Sequence, residues 1–188
     1  LKQISTGKKE NKFGVDKKVF FEIVNYSKRS KNINLKCLSV HIGSQILNHK
    51  PYEKMLNVVD KIINQSNHSF DFIDLGGGMG ISYENNSKKL NYKKYNIAIK
   101  KFLKNHKSKI IFEPGRSIVG NTGSLISKVI YIKESDKKDF IILDAAMNDL
   151  MRPALYGATH RTLPVLKTNK ISKKTYEFVG PICESTDK

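Results

Sequence analysis

The segment FDFIDLGGGMG, from Phe70 to Gly80, decides the fold of this chain. Its first half is a short apolar run that is typical of a buried strand, and this run ends directly in a series of glycines. Two other motifs follow apolar runs in the same way: HIGSQ begins at His41, and EPGR begins at Glu113. Strand ends therefore recur near positions 42, 75 and 113, a spacing that fits consecutive βαβ units of about 30 residues or more.

Helical patterns separate the strand-like runs. The clearest of them follows Pro51 and has a broad apolar stripe, formed by Met55, Leu56, Val58, Val59, Ile62 and Ile63. The predicted helices cover residues 15–28, 52–65 and 92–105. The predicted strands cover residues 35–42, 70–75 and 109–112, and the first of them is read as buried. This alternation predicts an α/β fold.

The pattern changes after Asn121. Three strand-like runs follow, and the first two are joined by a polar turn rather than by a helix. They cover residues 124–132, 139–144 and 175–179. Antiparallel structure is therefore predicted in this part of the chain. We place a domain boundary here, so that residues 1–122 form one domain and residues 123–188 form another.

The composition limits the classes of function. The formal net charge of +17 invites a nucleic-acid interpretation, but the basic residues are mostly lysines spread over the whole chain, without runs that stack bases. No apolar run approaches the roughly 18 residues of a membrane span. Cys37 and Cys183 share no metal-ligand spacing and suggest no disulfide framework. We therefore expect a cytoplasmic protein that binds neither nucleic acid nor membrane nor metal.

The glycine run is a candidate anion site. Glycine lets the backbone approach a ligand closely and point successive N–H groups at it. The run is not a dinucleotide fingerprint, because Ile81 stands where the last glycine of that pattern belongs. A tight turn without a ligand is the alternative interpretation of Gly76, Gly77 and Gly78.

The two flanking motifs supply side chains with complementary chemistry. Arg116 can bind phosphate or carboxylate through its forked guanidinium, and Glu113 can accept a hydrogen bond from a heteroaromatic N–H. His41 offers an aromatic ring, and Ser44 offers a hydroxyl for phosphate. The alternatives are an ion pair between Glu113 and Arg116, and a histidine that is simply packed in the core. Together the strand-end groups predict a site for a phosphorylated, nitrogen-heterocyclic cofactor.

Two motifs in the second part of the chain carry further candidates. MRPALY, from Met151, places Arg152 and Tyr156 four residues apart, and a surface turn with a stacked pair is the alternative. In the later motif Glu184 follows Cys183, and a neighbouring carboxylate disfavours a thiolate. Cys183 therefore suits a neutral thiol that donates a proton better than it suits a resting nucleophile.

With these residues assembled, the chain resembles the diaminopimelate decarboxylases, which belong to the alanine-racemase-like, fold type III pyridoxal-phosphate enzymes. The histidine, glycine and EPGR motifs mark the superfamily, whereas MRPALY and CES, from Cys183, are more specific. The resemblance implies the C-terminal part of a pyridoxal-phosphate-binding (β/α)8 TIM barrel, followed by the start of an antiparallel β domain. It also implies an internal piece of a longer protein, with the cofactor-linking lysine upstream of Leu1 and little activity in isolation.

The resemblance implies a role for each candidate residue. His41 stacks on the ring of pyridoxal 5′-phosphate, and Glu113 contacts the pyridine nitrogen. The phosphate is held by Ser44, Gly76, Gly77, Gly78 and the backbone around Pro114, Gly115 and Arg116. The substrate, meso-diaminopimelate, is bound by Arg116, Arg152, Tyr156 and Glu184. Cys183 protonates the carbon that loses carbon dioxide, which gives L-lysine.

In such enzymes Cys183 and Glu184 act across a homodimer interface and complete the active site of the other subunit. Three alternatives stay open. They are a decarboxylase of the same fold that acts on ornithine, arginine or carboxynorspermidine, a racemase that keeps the carboxylate, and a non-catalytic binding module. The pair of Arg152 and Tyr156, and the presence of Glu184 and Ser185 after the cysteine, favour diaminopimelate.

Overall fold

The structure is a computed structural model, and it describes residues 12–83, 89–166 and 174–188. The described residues form two compact units. The first takes in the described residues up to Ser82 and those from Lys89 to Gly123, and the second takes in Tyr83 and those from Ser124 onward. Within the described ranges no helix is long and apolar enough to cross a membrane.

The first unit is built on a parallel sheet. Its strands are β1 (Cys37–Ser39), β2 (Phe72–Asp74) and β3 (Lys109–Ile111), in the spatial order β1-β2-β3. Both neighbouring pairs are parallel, and Leu38, Ile73 and Ile110 stand in register across the sheet. The helices are α1 (Lys17–Arg29), α2 (Lys50–Ser66), α3 (Tyr92–Leu103) and the short α4 (Arg116–Val119), which follows β3. The predicted βαβ order and the α/β fold are confirmed.

Local capping explains where the helices of this unit begin and end. The side chain of Asp16 accepts a hydrogen bond from Val19 N–H at the start of α1 (2.9 Å), and Asn91 caps α3 in the same way. Pro51 occupies the first turn of α2, where a backbone N–H would have no helical partner. α2 is followed by Asn67, whose left-handed φ angle of 47° turns the chain away from the helix axis.

α2 packs its apolar face into the core of the first unit. The buried apolar side chains of this face are Tyr52, Met55, Leu56, Val59 and Ile63. They join Ile73 of β2 and Phe102 of α3 in one cluster. Burial of each such side chain contributes about 1.5–3 kcal/mol, so α2 is held mainly by its packing. Val58, which belongs to the predicted stripe, is 55% exposed, and the buried face is therefore narrower than predicted.

β1 differs from its prediction. The sequence predicts a buried strand over residues 35–42, but β1 has three residues, of which Cys37 and Ser39 are exposed. The difference arises because β1 has only β2 as a neighbour in the described sheet. β2 lies between two strands, and its residues Ile73 and Asp74 are buried.

The second unit contains a mixed sheet. Its strands β4 (Val129–Lys133), β5 (Asp139–Leu143) and β6 (Tyr176–Val179) stand in the order β4-β5-β6. β4 and β5 are antiparallel, as predicted, but β5 and β6 are parallel, so the prediction of antiparallel structure is wrong for this second pair. Parallel neighbours need a long crossover, and the connection between β5 and β6 has that length. It carries a short helix, α5 (Met151–Tyr156), which the sequence did not predict.

Candidate functional site

The ends of the three parallel strands meet at one edge of the first unit. Beyond the strands, the chain segments stay hydrogen bonded to one another. Val40 N–H donates to the Asp74 carbonyl (2.9 Å), and Glu113 N–H donates to the Gly76 carbonyl (2.8 Å). Because the carboxyl ends of parallel strands share an edge, the loops that follow them lie together. The motifs that begin at His41, Gly76 and Glu113 are therefore adjacent.

Glycine is required in this run because neighbouring chain segments come very close. A Cβ atom on Gly76 would lie 2.6 Å from the Val40 carbonyl oxygen and 2.9 Å from His41 Nδ1. A Cβ atom on Gly77 would overlap the carbonyl oxygen of Glu113. Packing of backbone against backbone thus accounts for both glycines without a ligand, in line with the tight-turn alternative. Their role in holding an anion stays a prediction.

The other two glycines of the predicted site differ from each other. Gly78 has a φ angle of 83°, which favours glycine, and a Cβ atom on it would overlap the Gly43 carbonyl oxygen. Gly115 has a φ angle of −101°, and a Cβ atom there would meet nothing within 4 Å outside its chain neighbours. The space beside the backbone of Gly115 is therefore open, unlike the space beside Gly78.

A hydroxyl, a guanidinium, an aromatic ring and a carboxylate come together at this edge. Arg116 begins α4, and its Nη2 atom donates to Ser44 Oγ (3.4 Å). The Nδ1 atom of His41 is 3.4 Å from the backbone nitrogen of Gly77. His41 and Glu113 are exposed, so a ligand can reach both. Ser44 and Arg116 suit a phosphate, whereas His41 and Glu113 suit a planar, protonated heteroaromatic ring, and these residues therefore fit pyridoxal phosphate.

Two buried residues to which the sequence assigned no role support the glycine run. The hydroxyl of Tyr52, on α2, donates to the Gly77 carbonyl (3.2 Å), and burial raises the pKa of this hydroxyl, so that it stays protonated. The carboxylate of Asp74 accepts from Gly76 N–H (2.8 Å) and from Ser39 Oγ (2.9 Å). An aspartate directly before a turn commonly accepts from the backbone two residues on, and this signal could have identified Asp74.

Gln45, the last residue of the HIGSQ motif, joins its own loop to the segment after the glycine run. Its Nε2 atom donates to the Ile81 carbonyl (2.7 Å), and its Oε1 atom accepts from Ile81 N–H (3.3 Å). Ile46 forms a parallel bridge with Met79 alongside this pair. The loop that carries Ser44 is therefore held against the segment after the glycine run by the side chain of Gln45 and by the backbone of Ile46.

The predicted substrate residues Arg152 and Tyr156 lie on α5 of the second unit. Arg152 Nη1 is 3.3 Å from the hydroxyl of Tyr83 and 3.1 Å from His160 Nε2. The guanidinium also lies over the Tyr83 ring, at 5.3 Å from its centroid. The sequence assigned no role to Tyr83 or His160, because the contacts that join them to Arg152 span non-adjacent parts of the chain.

Cys183 and Glu184 lie in an exposed loop after β6. Cys183 is a free thiol, as is Cys37. Glu184 N–H donates to the Ile182 carbonyl (2.8 Å), and the Glu184 carbonyl accepts from Asp187 N–H (3.1 Å), so the loop is a tight turn. Across the described residues, no group of three or more His, Cys, Asp or Glu side chains could hold a metal ion.

Groups of this kind at the carboxyl ends of parallel strands are typical of α/β proteins that bind a cofactor there. The family model described as pyridoxal-dependent decarboxylase, pyridoxal binding domain, matches residues 1–120, and the chain belongs to this family.

Diaminopimelate decarboxylases are among the proteins similar to this chain, and the predicted resemblance is thereby confirmed. The chain is 40% identical to the diaminopimelate decarboxylase of Aquifex aeolicus (strain VF5), over 98% of this chain and 44% of that protein. It is also 40% identical to the diaminopimelate decarboxylase of Neisseria meningitidis serogroup B, over 98% of this chain and 45% of that protein. The crystal structure of diaminopimelate decarboxylase from Helicobacter pylori complexed with L-lysine has a TM-score of 0.87 and 39% identity, and the match covers 98% of this chain and 46% of that chain. The chain thus spans a little under half the length of these relatives.

Proposed function

We propose that this chain is part of a pyridoxal-phosphate-dependent carboxy-lyase that converts meso-2,6-diaminopimelate to L-lysine and carbon dioxide, the last step of lysine biosynthesis. In this proposal residues 1–122 are part of a cofactor-binding (β/α)8 barrel, and residues 123–188 are part of a C-terminal β domain. The two free thiols support a cytoplasmic location. The family match and the diaminopimelate decarboxylases that resemble the chain over nearly its full length support the choice of reaction.

The observation that carries the proposal is the convergence of unlike groups at one sheet edge. Ser44 and Arg116, which are in hydrogen-bond contact, would hold the cofactor phosphate together with the backbone N–H groups of Gly78 and Gly115, since the N–H groups of Gly76 and Gly77 already donate to Asp74 Oδ1 and His41 Nδ1. His41 would contact the ring, and Glu113 would hold a proton on the pyridine nitrogen. When bound, pyridoxal 5′-phosphate supplies an electron sink for the electrons that the departing carboxylate leaves behind.

The substrate would be selected by charge. It has two carboxylates, of which one is lost, and the guanidinium groups of Arg116 and Arg152 match them. Tyr156 and Glu184 would bind the remaining polar groups, and Cys183 would donate a proton to the carbon that loses carbon dioxide. A substrate without the distal carboxylate would leave one guanidinium without its carboxylate partner and would bind poorly. We propose that Cys183 and Glu184 serve the site of the other subunit of a homodimer.

The test is turnover by the purified full-length protein loaded with pyridoxal phosphate. We expect lysine and carbon dioxide in equal amounts from meso-diaminopimelate, with kcat/KM at least about 100-fold higher than for ornithine, arginine or carboxynorspermidine. Release of no carbon dioxide, or a preference for one of the other substrates, would contradict the proposed reaction.

Site variants test the assigned groups. Arg116→Met should weaken cofactor binding by about 10-fold to 100-fold, because a charge-assisted hydrogen bond is worth about 1.5–3 kcal/mol. The matched control is Arg29→Met on α1, whose guanidinium Nε donates, among the residues that the structure describes, to the Asn25 carbonyl of its own helix. The affinity of both variants for pyridoxal phosphate is measured from the cofactor absorbance during a titration. If the two variants bind pyridoxal phosphate with equal affinity, Arg116 does not bind the phosphate.

A further inference from the structure

Asp187 is a buried carboxylate of the second unit that joins two separate loops. Asp187 is only 4% exposed. Its Oδ1 atom accepts from Met147 N–H (2.6 Å), and its Oδ2 atom accepts from Ile182 N–H (2.8 Å). A buried carboxylate is costly unless its oxygens are hydrogen bonded, and here each oxygen accepts from a different stretch of backbone. The carboxylate therefore acts as a bridge between the two stretches.

The two bridged loops carry the proposed substrate and proton-donor residues of this unit. Met147 lies in the turn that runs directly into α5, which carries Arg152 and Tyr156. Ile182 immediately precedes Cys183 and Glu184. We propose that Asp187 is a positioning residue that holds two segments in place at once: the loop of Cys183, which would serve the site of the other subunit, and the start of α5, which would serve the site of its own subunit. This inference rests on the proposed function.

The backbone around Asp187 leaves little freedom for this bridge to rearrange. A Cβ atom on Gly180 would overlap Oδ2 of Asp187 and would lie 2.7 Å from the Cα atom of Ala146. Gly180 N–H also donates to the Asp187 carbonyl (3.2 Å), and Asp187 N–H donates to the Glu184 carbonyl (3.1 Å). The loop of residues 180–187 thus closes on itself, and the carboxylate fastens the closed loop to the turn at Ala146.

The turn at Ala146 is itself held by hydrogen bonds, so the position of Met147 fixes the position of the start of α5. Asp149 Oδ2 accepts from Ala146 N–H (2.9 Å), and the Ala146 carbonyl accepts from the N–H groups of Asp149 (2.9 Å) and Leu150 (3.0 Å). Leu150 is the residue that precedes α5. Movement of Met147 relative to Ile182 therefore moves the start of α5 relative to Cys183.

The test is Asp187→Asn in the full-length enzyme with bound pyridoxal phosphate. The variant keeps the shape of the side chain but turns an NH2 group toward one of the two backbone N–H donors. We expect unchanged cofactor absorbance, a KM for meso-diaminopimelate about 10-fold higher and a kcat per bound cofactor about 10-fold lower. The matched control is Asp136→Asn, in an exposed turn, which should keep both constants within about 2-fold of the unsubstituted enzyme.

Gly180→Ala is a second variant. It keeps the carboxylate of Asp187, but the new methyl group would push this carboxylate out of position. It should reproduce the change in KM and kcat. Hydrogen exchange supplies a readout that does not depend on activity. In both variants we expect the amides of Met147 and Ile182 to exchange at least about 10-fold faster, while the amide of Ile141 in β5 stays protected.

Each outcome decides the proposal. Unchanged kcat and KM in Asp187→Asn would overturn it, and so would a loss of activity that only parallels a loss of bound cofactor, since that would be a general folding role. If the unsubstituted enzyme does not act on diaminopimelate but decarboxylates another substrate, the proposed function fails, and the same comparison with that substrate still decides the role of Asp187. If the unsubstituted enzyme turns over no substrate, both proposals fail, whatever the exchange data show.

Discussion

The substitution Gly77→Ala tests why glycine stands at the centre of the site. The new methyl group would overlap the carbonyl oxygen of Glu113 and lie 3.1 Å from its carbonyl carbon. Both atoms belong to the backbone, so they cannot swing aside as the end of a flexible side chain does. The cost resembles that of an overpacked core, about 1–3 kcal/mol of the free energy of unfolding. For a chain of this length we therefore expect a Tm lower by roughly 2–12 °C.

Gly115→Ala is the matched control, because it adds the same methyl group at the same edge. There a Cβ atom meets nothing within 4 Å outside its chain neighbours, and the φ angle of −101° lies outside the left-handed region that favours glycine. The Tm of this variant should change by less than about 2 °C. Thermal unfolding followed by circular dichroism, on protein free of cofactor, compares the two variants. An unchanged Tm for Gly77→Ala, or equal losses in both, would refute the argument from close backbone approach.

The remaining predictions concern the stacked rings of Tyr52 and Tyr95, whose centroids are 4.3 Å apart. Tyr52→Phe removes a hydrogen bond to the Gly77 carbonyl and should lower the free energy of unfolding by about 1 kcal/mol. Tyr95→Phe removes a buried hydroxyl with no partner among the described residues, and should leave that free energy unchanged or raise it by up to about 1 kcal/mol. Urea denaturation ranks the two variants, and the reverse order would contradict this reasoning. Burial also raises the pKa of both hydroxyls above 10.0. Below about pH 10 both hydroxyls are protonated in the folded and in the unfolded protein, and the free energy of unfolding keeps its full value. Above about pH 10 the hydroxyls lose their protons in the unfolded protein only. The free energy of unfolding should therefore fall by up to about 1.4 kcal/mol per pH unit for each tyrosine. Denaturation in urea between about pH 9 and 11.5 checks the slope, and an equally steep slope in the double phenylalanine variant would rule the tyrosines out as its cause.

At the candidate site, the glycines proposed to face a cofactor are also needed for the packing of the chain. The glycines of the run are already required by neighbouring carbonyl oxygens, so their presence in a sequence is no direct sign of a ligand. The side chains are more informative, because packing alone does not require a hydroxyl, a guanidinium, an imidazole and a carboxylate at one edge. The assignment of a cofactor site therefore depends on Ser44, Arg116, His41 and Glu113 more than on the glycines.

Local patterns in the chain were sufficient for the order of the strands and of the three long helices, and for the grouping of the candidate site at the strand ends of the first unit. The apolar stripe predicts α2 to within one turn at either end, and glycine and proline mark where strands stop. Parallel strands share one edge, so the placement of three motifs after three strands already brings His41, the glycine run and Glu113 together.

Contacts between distant segments were decided by the tertiary structure. Burial of β1 depends on its number of neighbours, and the parallel pairing of β5 with β6 depends on the path of a long crossover. The bridge from Asp187 to Met147 spans 40 residues, and the bond from Tyr52 to Gly77 spans 25. Periodicity reports only which face of an element is apolar. Which donor meets which acceptor is settled when the elements pack, because a buried polar group takes the partner that packing brings within reach.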